Sequence, residues 1–502
     1  MILCSSEVSF LLLCVFLAAG RLLSRLKVKF FLRGEKEVRE LAEVICEEAR
    51  KRMCTFADVR LEVREGTSIL VQDGRADKVA ATKSRGVGIR VLVDGAWGFT
   101  TTSRLERRSV FSALERAFSL ARASKEYVLD PGVVARVSPG RGEERSPFKK
   151  DPRRVGVKEK AAKLLEFEKL SAKAAGGRLV NSVLSYGDSM AEEIIANTKG
   201  ALVDRRTVRT SIFARMTALE GEIRQTAYEH RANICGFELV EELSPEEFSI
   251  RAAKKAIELL SAKPSPAGSF PVVFHPSITG LLVHEALGHN AEADLVWTGE
   301  SILEGKLGEK IASSLVTIVD DATIPNSYGS YKYDSEGTPG GRCVIIEKGI
   351  LKGFLHSLET ASKFGVEPNG SARAQGYSHR PVVRMSNTFM EPGEASFEEI
   401  IKPIERGIFL DRGQWGYVLV ERGQYTCHAG SARMIEHGQL GEPLRDVSVS
   451  GLTLETLKDI EAASSDFEME MPGHCGKAGQ AMPVNTGGPY VRVKSLIVGG
   501  QS

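Results

Sequence analysis

The chain has 502 residues, too many for one ordinary hydrophobic core, so two or three domains are expected. Hydrophobic residues make up 42% and charged residues 26%, a globular profile that excludes a disordered or membrane-embedded chain. The 67 Lys and Arg nearly cancel the 65 Asp and Glu, so no nucleic-acid or anionic-membrane partner is called for.

Residues 9–19 form an apolar segment as long as a signal-peptide core, but Glu7 precedes it and Arg21, Arg25 and Lys27 follow, the wrong flanks for export. Three readings compete: a start codon placed too far upstream, a short anchor, or a signal peptide. The globular pattern begins only near Glu35, which favours the first and leaves residues 1–35 an unexplained extension. The eight Cys are scattered with no Cys-x-x-Cys pair, which points to a reducing, cytoplasmic setting.

From Lys36 to Met53 the apolar positions Val38, Leu41, Ile45, Ala49 and Met53 recur at helical spacing. Alternation over Val59–Val63, Ser68–Val71, Lys78–Thr82, Gly88–Val93 and Trp97–Thr101 predicts an antiparallel meander, with turns at Asp73-Gly74 and Asp94-Gly95. A helix over Leu105–Ala123, with Val110, Leu114, Phe118 and Ala121 on one face, closes a first α+β domain, 36–125. Residues 126–153 carry Pro, Gly, Arg and Lys without a period and read as a linker. A second α+β domain, 154–263, has a helix over Val157–Ala174, strands over Leu179–Tyr186, Ala191–Asn197, Thr207–Leu219 and Glu220–Ala232, and a helix over Pro245–Leu260. The two units echo each other, as a diverged repeat would. The third domain, 264–502, opens with a strand at Pro271–His275 and a helix over Leu281–Asp294. From Ala312 it turns to strands and glycine-rich turns, broken by helical runs near 353–364, 397–405 and 454–461. The fold class is α+β, with N-terminal helix/antiparallel-sheet units and a β-rich C-terminal domain carrying the chemistry.

That chemistry concentrates in His284-Glu285-Ala286-Leu287-Gly288-His289, followed by Glu292 and Asp294. Two imidazoles offer donors to a divalent metal, and a carboxylate beside them is placed to take a proton from water. The spacing is one residue longer than in the His-Glu-x-x-His helix: five residues at about 100° each put His289 roughly 140° from His284. A regular helix cannot aim both rings at one ion, so the backbone is predicted to leave α geometry around Gly288, a weak helix former. A further ligand is needed. Glu292 and Asp294 are near; Cys475 is far, on a glycine-hinged loop within Gly473–Val484.

These blocks resemble the TldD/PmbA metalloproteases, specifically the metal-bearing TldD branch. The resemblance is carried by His284–His289 with Glu292 and Asp294; Asp334-Ser335-Glu336-Gly337-Thr338-Pro339; Gly370–Ala374; Arg384–Thr388; and Cys475-Gly476-Lys477 with Gly479-Gln480 and Pro483-Val484, in the family's order. It covers the chain from about residue 36 onward. It implies a zinc-dependent peptidase, with iron as the other candidate metal, one ion per chain held by His284, His289 and Cys475, and Glu285 as general base. A thiolate among the ligands donates more charge than a third imidazole and weakens the Lewis acid, which suits slow, selective cleavage. The resemblance also implies an unstructured peptide as substrate and a homodimer, or a heterodimer with a metal-free homologue. The Asp334–Pro339 and Gly370–Arg384 blocks are expected along the substrate channel, with Arg373 or Arg384 on a peptide carboxylate and the peptide added to a sheet edge.

Blander readings stand beside these. On one reading the two His are structural; on another, Cys475 beside His474 is an activated thiol nucleophile; Glu292 and Asp294 read as solvated or capping residues, with a fourth ligand or the partner of a ligating His as the alternative. His230, His275, His356, His379, His428 and His437 are expected to be structural, and Gly86-Val87-Gly88 lacks the third glycine of a nucleotide loop. The competing function is a non-catalytic, chaperone-like regulatory subunit with a structural metal, which predicts a closed four-ligand site.

Overall fold

The computed structural model describes residues 37–136, 138–469 and 471–500, so the expectation for residues 9–19 lies outside the described residues. No helix among them is long and apolar enough to cross a membrane.

Helix α1 (37–51) buries Ala42, Ile45, Cys46 and Ala49; of the predicted stripe Ile45 and Ala49 are buried, Val38 and Leu41 are half-buried, and Met53 lies beyond the helix end, exposed and at positive φ. The short strands expected next merge into long ones: β1 (Phe56–Gln72), β2 (Arg75–Val93) and β3 (Ala96–Thr102). Polar residues interrupt the apolar alternation in mid-strand, but β1 continues through them because its backbone is paired on both sides, Gly66 opposite Thr82 and Ser189. Both predicted hairpin turns are present, with Asp73, Gly74, Asp94 and Gly95 all at positive φ. Helix α2 (Arg107–Ser124) lays Val110, Leu114, Phe118 and Ala121 on the sheet.

The stretch read as a linker contributes an edge strand, β4 (Arg141–Arg145), parallel to the start of β6. Its residues are all polar or Gly, so no alternation marked it. Helix α3 (Val157–Ala174) has the predicted bounds; β5 (Leu179–Asn197) joins two predicted strands, and β6 (Leu202–Glu220), β7 (Ile223–Asn233), α4 (Glu238–Glu241) and α5 (Ser249–Leu260) follow. The sheet order is β3-β2-β1-β5-β6-β4, with β7 also on β6. The two N-terminal units therefore share one sheet, joined at the antiparallel seam between β1 and β5. The α1 and α2 faces cover one half and the α3 and α5 faces the other.

The C-terminal part is built on a 13-stranded sheet. In chain order its strands are β8 (Lys263–Pro264), β9 (Gly268–Phe274), β10 (Ile318–Asp321), β11 (Arg342–Glu347) and β12 (Ile350–Leu351). A small separate pair, β13 (Ala372–Arg373) and β14 (Val382–Val383), comes next. The sheet resumes with β15 (Asn387–Met390), β16 (Arg406–Leu419), β17 (Gln424–Glu436), β18 (Gln439–Arg445), β19 (Val447–Leu452), β20 (Ile460–Glu468), β21 (Gly473–Lys477) and β22 (Gln480–Gly500). Helix α6 (Pro276–Leu282) leaves the end of β9 and lies in the core between β16 and β22. Its start is set locally: Pro276 occupies the first turn, and the His275 ring accepts a hydrogen bond from the Ser277 amide at 3.2 Å.

Candidate metal centre

At Val283 the α6 helix widens. Residues Val283–Gly288 form a π turn, and the His289 amide donates to the His284 carbonyl at 3.3 Å, an i+5 bond. Closing the turn over five residues stacks position 289 above position 284, as four residues do in an α-helix. This is the departure that the His-Glu-x-x-x-His spacing demands, and the two rings sit 5.2 Å apart by centroid. The role of Gly288 is steric as much as conformational. The sulfur of buried Met385 packs so closely that a Cβ at 288 would lie 2.0 Å from it.

Cys475 comes from strand β21 rather than from a loop. Ala478 and Gly479, both at positive φ, form a two-residue hairpin turn that pairs β21 with the start of β22, Cys475 opposite Met482. Pairing points successive side chains to opposite faces. Cys475 turns inward, its Sγ 3.3 Å from His289 Nε2, while His474 turns to the Tyr328 phenol at 3.4 Å. The thiol-nucleophile reading, which needs His474 against Cys475, finds no such contact. One donor atom each from His284, His289 and Cys475 lies within 4.8 Å of the others.

The electrostatics fit a cation. Burial pushes the Cys475 thiol up, but the two facing imidazoles outweigh it and bring the group down to about 4, so the sulfur is a thiolate at neutral pH. Burial disfavours charge on both His rings, yet the thiolate, with Glu285 at His284 and Glu292 at His289, raises both. His284 Nδ1 is buried with no protein hydrogen-bond partner. Two imidazoles and a thiolate converging around an unsatisfied ring nitrogen form a soft N/S donor set of the kind zinc takes.

Glu292 is fully buried, and its Oε2 lies 3.1 Å from His289 Nδ1. It orients the imidazole from behind and leaves Nε2 to face the thiolate. Burial would raise its carboxyl, but Lys477, His289 and Arg384 bring it down to about 2. Asp294 is not among the converging donors and takes the Lys477 ammonium at 2.7 Å.

His284 and Glu285 open onto a cleft of about 660 Å3. One wall is the middle-domain sheet, with Phe213, Arg215, Tyr228 and His230 from β6 and β7; the other is Arg412–Gly416 of β16. Glu285 is half-buried against Gly416, whose ideal Cβ position is 3.2 Å from Glu285 Cγ. Beyond the Ile408–Leu410 pairing with β9, that edge of β16 has no strand partner among the described residues.

Arg373 and Arg384 do not face the cleft. They are 3% and 0% exposed and donate to carbonyls, Arg373 to Met385 and Pro483, and Arg384 to Cys475 and Gln480. Neither is free to hold a peptide carboxylate. Asp334–Thr338 is likewise internal, with Pro339 exposed beyond it: Asp334 accepts from the Glu336 and Thr338 amides at 2.9 Å and fixes a buried turn. Sequence reasoning missed the wall from β6 and β7, including His230, because nothing local marks a strand face that meets its ligand from another domain.

Comparison with known proteins agrees with this architecture. Residues 57–123, 150–260 and 267–500 match, in turn, domain 1, the central domain and the C-terminal domain of the PmbA/TldA metallopeptidases. A metalloprotease of Methanothermobacter thermautotrophicus is 38% identical over 445 residues, 89% of this chain and 95% of that protein. A zinc metalloprotease TldD homolog of Saccharolobus solfataricus is 28% identical over 454 residues, 89% of this chain and 97% of that protein. The crystal structure of TldE from Thermococcus kodakarensis shares the fold at 21% identity, with a TM-score of 0.73 over 92% of this chain and 100% of that one. Full-length identity above the level at which families diverge, together with all three domains in register, places the chain in the TldD/PmbA metallopeptidase family.

Proposed function

We propose that the chain is a zinc-dependent peptidase of the metal-bearing branch, hydrolysing small or unfolded polypeptides, with His284, His289 and Cys475 as ligands and Glu285 as general base. The observation that carries this reading is the convergence of three donors beside a carboxylate that faces an open cleft. Zinc bound by His284, His289 and Cys475 would supply Lewis acidity beside Glu285. Glu285 accepts the proton of the attacking water and returns it to the leaving amide nitrogen. Glu292 keeps His289 in the Nδ1–H tautomer. Beyond Leu410 no strand among the described residues joins that side of β16, where the Gly413 amide donates to Ser277 Oγ, and the stretch suits an extended peptide added as a strand, a conformation that folded substrates do not offer.

The name of the Saccharolobus relative supports zinc, with iron as the alternative ion. We infer a cytoplasmic protein, since the described cysteines are free thiols. We also infer a homodimer or a heterodimer with a metal-free homologue. Exposed Trp297, Leu307 and Val366, beside a hollow of about 380 Å3 floored by Phe354 and Phe364, supply an apolar face for it.

The decisive experiment compares zinc-loaded wild type with Glu285→Gln on an unstructured peptide. Full metal content with activity lost by about 100- to 10,000-fold supports the assignment. A variant that cleaves like wild type removes Glu285 from the base role. A wild type that binds zinc tightly and cleaves nothing favours a regulatory subunit with a structural metal.

A further inference from the structure

We propose that Lys477 is a positioning residue for the metal centre: it latches the strand that carries Cys475 to Glu292, the carboxylate that holds His289, so that thiolate and imidazole reach the ion as one unit. This rests on the metal-centre reading above and goes beyond it by assigning a role to a residue that touches neither metal nor substrate.

The latch follows from strand geometry. Side chains two apart on a β-strand share a face, so Cys475 and Lys477 both point from β21 toward the segment that follows the π turn. The Lys477 side chain is 14% exposed, and its ammonium lies 3.1 Å from Glu292 Oε2. It is held from the far side by both oxygens of Asp294, at 2.7 and 2.8 Å, and it donates to the Val383 carbonyl at 3.2 Å. Glu292 Oε2 is the same oxygen that meets His289 Nδ1 at 3.1 Å. A single carboxylate oxygen thus receives the His289 ring from one chain segment and the Lys477 ammonium from another, 183 residues away from Asp294 in sequence.

Two consequences follow from that sharing. Lys477 pins the buried Glu292 oxygen that meets the His289 ring, so the carboxylate cannot shift without breaking that contact. Through the same ion pair Lys477 ties β21 to the segment that carries His289, while Arg384 holds the hairpin backbone through the carbonyls of Cys475 in β21 and Gln480 in β22. The thiolate and His289 Nε2 are only 3.3 Å apart, and metal–ligand distances tolerate about 0.2 Å, so a loose strand spoils the site.

The test uses the full chain, stripped of metal and titrated with cobalt(II). Two readouts are taken: affinity, by competition with a chelator, and the thiolate-to-cobalt charge-transfer absorption. Lys477→Met is expected to bind about 10- to 100-fold more weakly, with a diminished thiolate band, and Lys477→Arg to recover most of the loss. Because Lys477 acts through Glu292, the double variant Lys477→Met/Glu292→Gln is expected to bind no more weakly than Glu292→Gln alone. Losses that multiply, as for independent sites, overturn the latch in favour of a merely structural lysine. If Lys477→Met fails to fold, Asp294→Asn releases the ammonium from its far side and is expected to weaken binding in the same direction; unchanged binding overturns the proposal. A wild type with no thiolate band overturns the metal-centre reading itself, whereas a wild-type band matched by Lys477→Met overturns only the latch.

Discussion

Gly288→Ala tests the packing that holds the π turn. The new Cβ would stand 2.0 Å from Met385 Sδ and 3.2 Å from its Cε. Unstrained contacts begin near about 3.5 Å, so roughly 1.5 Å of separation must be recovered. Met385 is fully buried and cannot swing into solvent, and the displacement divides between its side chain and the π turn. Overpacking of this kind costs about 1–3 kcal/mol. In a unit of this size each kcal/mol lowers Tm by about 2–4 °C. The effect on metal should be sharper, because even half the displacement exceeds the roughly 0.2 Å tolerance of a ligand position. We expect zinc affinity to fall at least about tenfold, or ~1.4 kcal/mol. The assay is chelator competition together with melting of stripped and zinc-loaded protein, whose difference reports binding to the native state. Met385→Ala in the same chain removes the crowding atoms and is expected to restore most of the affinity. A Gly288→Ala protein with wild-type affinity and a wild-type zinc-induced rise in Tm would refute the reasoning.

Other outcomes follow from the same geometry. His284→Ala should lose stoichiometric zinc while the stripped protein stays folded; stoichiometric zinc retained would place the site elsewhere. Gly416→Val should crowd Glu285, since even a Cβ there stands 3.2 Å from Glu285 Cγ and 3.3 Å from Leu281 Cγ. Zinc content is expected to hold while kcat falls, on the order of 100-fold for an ångström of misplacement, and a kcat equal to wild type would refute the role of that contact. In stripped protein the Cys475 thiolate should persist as pH falls until about 4, because the group's proton affinity is depressed. The ultraviolet thiolate absorbance of wild type minus Cys475→Ser checks this, and a difference that vanishes already near pH 8 contradicts the imidazole–thiolate contact. Burial raises Cys46, Cys235 and Cys343 to about 12, so they stay silent in that range.

Local periodicity carried much of the fold. Helix α3 has its predicted bounds, α2 buries the predicted face, and both Asp-Gly turns are in place, because in each the deciding interactions lie within a few residues. What escaped depends on partners far along the chain. Strands β1 and β5 run unbroken through polar residues because each is paired on both sides, and β4 exists only because β6 accepts it. The site divides the same way. The odd spacing of His284 and His289 was legible, and with it the need for a non-α turn, since that is arithmetic on a helix. The steric part of Gly288 was not legible, because Met385 lies 97 positions on and only the fold brings it near. Cys475 was legible through resemblance, but the short hairpin that aims it was hidden among glycines that read as a loop. Lys477 was visible as a motif letter and became a contact only when β21 was seen to face Glu292.

The most direct test of the central claim is X-ray absorption at the zinc edge of zinc-loaded wild type and Cys475→Ser. The account predicts one sulfur at about 2.3 Å and two imidazole nitrogens at about 2.0–2.1 Å in the wild type. In Cys475→Ser the sulfur shell should disappear while the imidazole scattering remains. A wild-type spectrum of nitrogen and oxygen alone, or a sulfur shell that survives the substitution, would contradict a centre built from His284, His289 and Cys475.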